Sequence, residues 1–499
     1  MNIEQYQSYY RSFADYRVDK LKLLQESGVQ VYPERFPVSH TLKEAFDLPD
    51  GTTNVRLAGR VSSVRKMGKI TFAHLQDVQG KLQFVLKKNT LEEDYDFFHK
   101  TVDIGDFLGV EGEMFTTNSG ERSLQVAQYT FLGKALREMP EKWHGLADQE
   151  LRYRQRYLDL ISNQESRNVF LMRSKMLSTI RRFLETRGFL EVETPILTNK
   201  ASGALATPFL THHKALDIDV YLRIAPETYL KRLIVGGFQH VFEVSRCFRN
   251  EGISPVHLQD FTMIEGYSAY FNYQDNMEML RAMILTILQE LFGSTTLTIG
   301  DKEIDFAQEW PVVSFRELIL KDTGIDIDDH PDGPSLLKAI RSKGIRLEHE
   351  SLESLGKGNL IDQLYKKVSR PFMISPVFLT CHPLDLSPLA RRNDTDEQIT
   401  DRFQLVVNGA EIINAYSELV DPVDQRIRLE SQSELRSRGD AEAMPLDEDY
   451  LKAMEYGMPP ISGWGMGIDR LLQVLLNLEN IRDGVLFPLM RPLEDEQQS

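Results

Sequence analysis

The chain runs to 499 residues, with 58 Lys plus Arg against 74 Asp plus Glu, a formal net charge of −16, and is 41% hydrophobic and 26% charged. That balance excludes a disordered chain, a collagen-like fibre and a disulfide scaffold, and at about 150 residues per domain it allows roughly three domains with sizeable cores. Two cysteines, Cys247 and Cys381, predict reduced thiols. The start lacks the apolar stretch of a secretory signal and no run approaches the ~20 apolar residues of a membrane span, so a soluble, cytoplasmic protein is expected.

In chain order, Tyr16, Val18, Leu21, Leu23 and Leu24 fall at helical spacing until Gly28, Pro33 and Pro37 stop the pattern; residues 1–50 are expected to form an amphipathic helical segment that begins in the tyrosine-rich start. From Val55 the period changes to two. VRLAGRVSSVRKMGKITFAHLQD, KLQFVLKK, DFLGVEGEMF and SLQVAQYTFLG predict five or so short strands ending near Gly133, and a small closed barrel of the OB-fold type over 51–140. Between Val55 and Lys88 stand eight basic residues (Arg56, Arg60, Arg65, Lys66, Lys69, Lys81, Lys87, Lys88) and one acidic one, Asp77, with Phe72 and Phe84 among them. A solvated strand face explains any single lysine. Eight against one beside aromatic rings points to a polyanion-binding surface.

ALREMPEKWHGLADQELRYRQRYLDL, residues 135–160, reads as charged and helix-prone, and the linker is expected at 141–165. A long helix is expected from Asn168 to Arg187, stopped by Gly188, opening a mixed strand-and-helix domain over 166–499. Within it, about 310–380 carries SFRELIL, SLLKAIRSKG and NLIDQLYKKVS and reads as an inserted helical subdomain, while RPLEDEQQS is a polar, frayed tail.

Four clusters carry chemistry. FLETRGFLEVETPIL is a helix, a glycine stop and a strand closed by Pro195. VFEVSRCFRNEG followed by HLQDFTMIEGY reads as strand, loop, strand; a sheet-held Arg249 offers a guanidinium fork to a phosphoryl group, Glu251 an acceptor for an exocyclic amine, and Phe261 a stacking face for a purine. DRFQLVVNGAEIINAYSEL alternates so that Glu411 and the polar residues beyond it face one way, where oxygen ligands suit Mg²⁺ bridging to phosphates. SGWGMGIDRLLQVLL sets glycines at 463, 465 and 467 before Arg470; bare positions admit a ligand lying flat, and Arg470 at a helix start can meet an anion or stack on a base. Taken singly, each of these has a bland reading as salt bridges and core. Other features are read blandly too: His212 and His213 point opposite ways on a strand, Ser254 and Ser387 lack a G-x-S-x-G setting, Met454, Met458 and Met466 pack, and Lys366–Lys367 is a solvated helix face.

In this order, behind a basic barrel, the clusters resemble class II aminoacyl-tRNA synthetases, and among them the lysyl branch. The resemblance spans nearly the whole chain, from VDKLKLLQESGVQVYPERFP to IRDGVLFPLMRP. FLEVETPIL is similar to the family's first motif, FRNEG with FTMIEGY to its second and GMGIDRLL to its third, while RYRQRYLDLI, RIAPETYLKRLIVGGF and EIINAYSELVDPVDQ are closer to the lysyl than to the aspartyl or asparaginyl enzymes. The resemblance implies an α+β fold, an N-terminal OB-fold barrel and an antiparallel sheet flanked by helices, and a homodimer through the first motif with Pro195 at its interface. It implies ATP-dependent activation of L-lysine to lysyl-adenylate, with Mg²⁺, and transfer to the 3′ end of tRNA(Lys). ATP would bind bent, with Arg249 on the α-phosphate, Glu251 near the adenine amine, His257 near the phosphate tail, and Phe261 and Arg470 sandwiching the base; Arg249 and Arg470 are the catalytic pair. Glu411 and Gln404 would meet the metal. Gly203, Glu227 and Glu265 would line the α-amino end of the lysine pocket, and Tyr267, Asn414, Tyr416 and Glu418 its side chain, Glu418 pairing with the ε-ammonium. In the barrel Phe72 would stack on an anticodon base with Arg65 and Gln83 beside it.

The lysine assignment has independent physical content. A cationic head in a closed pocket needs a fixed anion, and a site built on that contact rejects substrates lacking it by large factors. Departures from the family pattern are local: Leu258 where an Asn is usual, Gln404 where an acidic metal ligand is expected, Val420 after SEL, and Gln128 at a position where a Glu commonly contacts the anticodon. Gln404 predicts weaker Mg²⁺ binding, with fewer ions or lower ATP affinity. Two alternatives remain open at this point, a paralogue that lysylates a protein and a synthetase-like RNA-binding regulator.

Overall fold

Strict alternation from Val55 closes a barrel, and runs of alternating residues farther along build one large sheet. The computed structural model describes residues 13–139, 148–200, 202–204, 206–347, 352–437 and 444–493. The tyrosine-rich residues 1–12, the part of the expected link at 140–147 and the tail residues 494–499 lie outside them. The chain divides into two units, the first through Asn163 and the second from Gln164.

In the first unit α1 (Asp15–Glu26) buries Arg17, Val18, Leu21 and Leu24. Tyr16 and Leu23 lie off that stripe and are exposed, while Arg17 donates to the Ala135 and Ile104 carbonyls. The barrel strands β1 (Val55–Met67), β2 (Ile70–Gln76), β3 (Lys81–Lys87), β4 (Phe107–Thr116) and β5 (Arg122–Gly133) close in the order β1-β2-β3-β5-β4, with only β3 and β5 parallel. Ala73, Leu75, Leu82, Phe84 and Leu86 point inward to its core. Phe84 is thereby removed from any stacking surface: it is buried and meets Phe98 edge-on at 6.3 Å. Phe72, one residue out of phase with Ala73, faces outward.

The second unit opens with α2 (Gln164–Glu185), which starts four residues before the expected Asn168 and stops two before Arg187. Its sheet comprises β6 (Leu190–Glu191), β7 (His240–Phe248), β8 (Asp260–Ala269), β9 (Val312–Ser314), β10 (Val377–Pro383), β11 (Ile399–Val407), β12 (Ala410–Ser417) and β13 (Ile461–Gly467), in the order β9-β10-β11-β12-β13-β8-β7-β6. Only the outermost pairs, β9–β10 and β7–β6, are parallel. One face carries Ile264, Phe403, Leu405, Ile413, Ala415, Trp464 and Met466 into a core completed by Met176, Ile180 and Leu184 of α2 and by Leu280, Met283 and Ile287 of α4 (Tyr273–Phe292). Trp464 lies fully buried opposite Gly266 on β8, where an added Cβ would stand 2.5 Å from the indole ring. The chemistry therefore falls to the other face.

The helical stretch near 310–380 has a structural cause. Because β9 and β10 are parallel neighbours, a crossover must join them, and it consists of α5 (Phe315–Thr323), α6 (Gly333–Ser342) and α7 (Lys357–Val368). These helices hold their own core of Phe315, Ile319, Leu336, Ile340, Ile361 and Leu364.

Candidate active site

Register builds the site. Across neighbouring strands Glu265 pairs with Gly465, Gly465 with Asn414, and Asn414 with Gln404; one step along, Tyr267, Gly463, Tyr416 and Arg402 form a second row. Paired residues share a face, so the alternate glycines of β13 bare a strip of backbone between two polar walls. The expectation that alternation alone puts Glu411 on the polar face is corrected here: Glu411 is three residues from Asn414, and unbroken alternation would turn it to the core. A register shift between Leu405 and Val406 turns it to the polar side. The result is a cavity of about 320 Å³.

Of the residues expected at the nucleotide, Arg249, Glu251, His257, Phe261, Glu411 and Arg470 all line this cavity. The β7–β8 hairpin holds the first four. Its ladder continues through the Arg249 N–H to the Gln259 carbonyl at 2.9 Å, and the Arg249 guanidinium lies 5.0 Å from the centroid of the Phe261 ring. His257 Nδ1 lies 2.7 Å from Ser254 Oγ. Burial first, then the cations Arg470, Lys366, Arg370 and Arg249, hold its pKa below the ordinary range. Lys366 itself is exposed on α7 and paired with Asp362 at 2.6 Å, the solvated helix face expected from sequence. Arg470 donates to the Glu411 carbonyl at 3.0 Å from the first turn of α8 (Ile468–Leu475). Asp469 beside it accepts from the Thr262 N–H at 2.6 Å and pairs with Arg173 at 2.6 Å, tying the helix start to β8 and α2. Leu258, in place of the family's usual Asn, also lines the cavity.

The second half of the cavity is acidic. Gly203, Glu227, Glu265, Tyr267, Asn414 and Tyr416 line it. Glu227, the first residue of α3 (Glu227–Val235), accepts from the Tyr416 hydroxyl at 2.7 Å. Tyr267 donates to Glu265 at 3.1 Å, and burial followed by the charge of Glu227 pushes the Glu265 carboxyl up to about 8. Glu418, 1% exposed, lies behind this wall; its Oε2 meets Lys231 Nζ at 2.5 Å, and its Oε1 has no hydrogen-bond partner among the described residues. That Oε1 occupies the space a Cβ at position 463 would need, and the Tyr267 ring takes the rest. Gly463 is therefore bare because of Glu418 and Tyr267, whereas a Cβ at Gly465 would only make ordinary contact with Glu265 at 3.5 Å.

Three contributors escaped the sequence reading. Lys231, four residues after Glu227 on α3, is fully buried against both Glu227 and Glu418; the E-x-x-x-K spacing was its visible signal. Arg402, two residues before Gln404 on one strand face, donates to Asn414 Oδ1 at 2.9 Å and to the Leu386 carbonyl at 2.7 Å. The Asp469–Arg173 tie joins residues about 300 positions apart, which no local pattern reveals.

Among the described residues no three His, Cys, Asp or Glu side chains gather to hold a metal. Gln404 donates from Nε2 to Glu411 Oε2 at 3.0 Å, and its Oε1 is buried with no hydrogen-bond partner among the described residues. Glu411 lines the cavity and Gln404, which does not, backs it; one carboxylate there fits Mg²⁺, an ion that keeps waters and draws its other ligands from phosphates.

On the barrel, Arg65 pairs with Phe72 across β1 and β2, and His74 with Gln83 across β2 and β3, so Arg65, Phe72 and Gln83 share the outer face. Arg65 is exposed and Phe72 half-buried; Gln83 is 5% exposed and accepts from Ser123 Oγ at 2.8 Å. The basic excess is partly consumed internally, with Lys88 paired to Asp96 and Arg60 donating to the Gly105 carbonyl.

Residues 148–491 match the family described as tRNA synthetases class II (D, K and N), and residues 55–132 match the OB-fold nucleic acid binding domain. The chain belongs to the class II tRNA synthetases. Within that family it is 46% identical over 483 residues to a lysine–tRNA ligase of Moorella thermoacetica, covering 96% of this chain and 98% of that one. It is 46% identical to a lysine–tRNA ligase of Pelotomaculum thermopropionicum (96% and 94% covered) and 45% identical to one of Shigella boydii (96% of each). The synthetase is thus an α+β enzyme of the lysine–tRNA ligase family, with an OB-fold and a class II domain, and the two alternative readings are not favoured. Among the described residues, no helix is long and apolar enough to cross a membrane.

Proposed function

We propose that this synthetase is a lysine–tRNA ligase: it activates L-lysine with ATP to lysyl-adenylate and passes the lysyl group to the 3′ end of tRNA(Lys). The observation that carries the lysine assignment is Glu418. A carboxylate oxygen buried without a hydrogen-bond partner behind an acidic wall is costly, and an alkylammonium supplies the missing donors. Gly203, Glu227 and Glu265 take the α-amino end, and Tyr267, Asn414 and Tyr416 flank the aliphatic chain.

The nucleotide lies in the cationic half. Arg249 holds the α-phosphate and the substrate carboxylate for in-line attack at phosphorus, Phe261 and Arg470 flank the adenine, Glu251 accepts from its amine, and His257 faces the pyrophosphate. Glu411, backed by Gln404, would hold Mg²⁺, which when bound offsets phosphate charge. Pyrophosphate leaves with its charge spread over Arg249 and Arg470; the 3′-terminal hydroxyl of the tRNA then attacks the carbonyl of the mixed anhydride, its proton passes to the adenylate's phosphate, and AMP leaves. No side chain needs to become a base; positioning and preset charge supply the acceleration.

The outer face of the barrel, with Phe72, Arg65 and Gln83, reads the anticodon in this proposal. A homodimer through the first motif near Pro195 is supported by exposed apolar side chains there, Leu190 at 49%, Ile196 at 45% and Leu197 at 50%. The cytoplasm is the compartment that holds these substrates. Amino-acid-dependent exchange of pyrophosphate into ATP, run over all twenty amino acids, followed by charging of transcribed tRNA(Lys), tests the function. Exchange with lysine and charging of tRNA(Lys) are expected; exchange with another amino acid, or none, overturns the proposal.

A further inference from the structure

The slot proposed for the substrate's ammonium already holds an ammonium of the protein's own. Lys231 is 0% exposed, and its Nζ lies 2.5 Å from Glu227 Oε1 and 2.5 Å from Glu418 Oε2. The rings of Tyr267, Tyr416 and Tyr450 have their centroids 6.0, 5.6 and 5.7 Å from it. An internal cation of this kind either competes with the substrate or organises its receptor. The geometry separates the two. Lys231 takes one oxygen of Glu418 and leaves Oε1, the one above Gly463, with no hydrogen-bond partner among the described residues.

We infer that Lys231 is a positioning residue for lysine recognition: its ammonium bridges Glu227 and Glu418 and fixes Glu418 so that one oxygen is presented to the substrate's ε-ammonium. The physical need is plain. Two carboxylates sharing a buried site cannot both ionise unaided, because like charges raise one another's pKa. One lysine lies between them, 2.5 Å from an oxygen of each. Without it, the two carboxyls lose their common anchor. The inference rests on the lysine–tRNA ligase reading.

The test compares wild type with Lys231→Gln and Lys231→Ala by pyrophosphate exchange, with melting temperatures recorded alongside. Both variants are expected to raise the KM for lysine at least about tenfold, since removing one partner leaves a buried charge uncompensated. The KM for ATP and kcat at saturating lysine should stay within about twofold, a split that general loosening of the fold would not produce. Added ethylammonium is expected to restore lysine KM in Lys231→Ala, which leaves room for it, and not in Lys231→Gln. Should Lys231→Ala fail to fold, Lys231→Gln still gives the KM split. An unchanged or lowered lysine KM in a folded variant overturns the inference, the latter by making Lys231 a competitor. Loss of lysine-dependent exchange in the wild type would instead sink the parent proposal.

Discussion

At the scale of the residue, the site is a set of charges whose states depend on one another. Glu418→Gln keeps shape and removes the anion, so kcat/KM for lysine should fall at least about thirtyfold, the lower end of the roughly 2–5 kcal/mol expected for truncating a buried charge pair; an unchanged value contradicts the assignment of Glu418. Glu265 gives a pH dependence. Its carboxyl is raised from 4.5 to about 8, by burial first, with Glu227 adding and Tyr267, Lys231 and Arg249 opposing. Its contribution to folding stability is therefore complete below about pH 4.5 and lost as pH rises through about 8, and Glu265→Gln should flatten that slope in melting experiments. An arriving α-ammonium favours the ionised form, so lysine KM should fall between about pH 6 and about pH 8, with a proton released on binding that calorimetry in buffers of different ionisation heat can count. Most of these residues were legible in the sequence because each sits in a short motif. Lys231 was not, since its role comes from Glu418, nearly two hundred positions away, and Phe84 was misjudged because base stacking and barrel core ask for the same side chain.

At the scale of the element, the strands are informative where alternation holds and misleading where it breaks. Glu411 reaches the polar face only through the register shift at Leu405/Val406, and a bulge leaves no mark in residue type. The helical run near 310–380 was visible as helices, yet its reason, joining two parallel strands at the sheet edge, is a fact of topology. Gly266 belongs here too. It gives Trp464 its space, so Gly266→Ala should overpack the core by about 1–3 kcal/mol, lowering the melting temperature by several degrees while leaving the KM for lysine nearly unchanged. A variant melting with wild type would mean that the indole has somewhere else to go.

At the scale of the whole molecule, the barrel and the cavity are lodged in separate units with separate cores. Phe72→Ala is accordingly expected to raise the KM for tRNA(Lys) about tenfold, as loss of one stacked base implies, with pyrophosphate exchange untouched; a parallel fall in exchange would contradict the division. Sedimentation should give twice the 57.4 kDa chain mass, and Leu197→Asp at the exposed apolar run should shift the population toward the monomer. Charge at this scale was legible only as a warning: the chain is acidic overall, and its basic excess on the barrel is partly spent on Asp96 and on the main chain.

The glycine strip along β13 has a practical meaning for anyone wishing to retarget the enzyme. Since the floor is main chain, it has no preference among amino-acid side chains beyond thickness, and discrimination resides wholly in the surrounding walls. A directed-evolution library for unnatural monomers should hold positions 463 and 465 constant and randomise Asn414, Tyr416 and Met444, so that new polar or bulky groups meet altered walls above an unaltered bed.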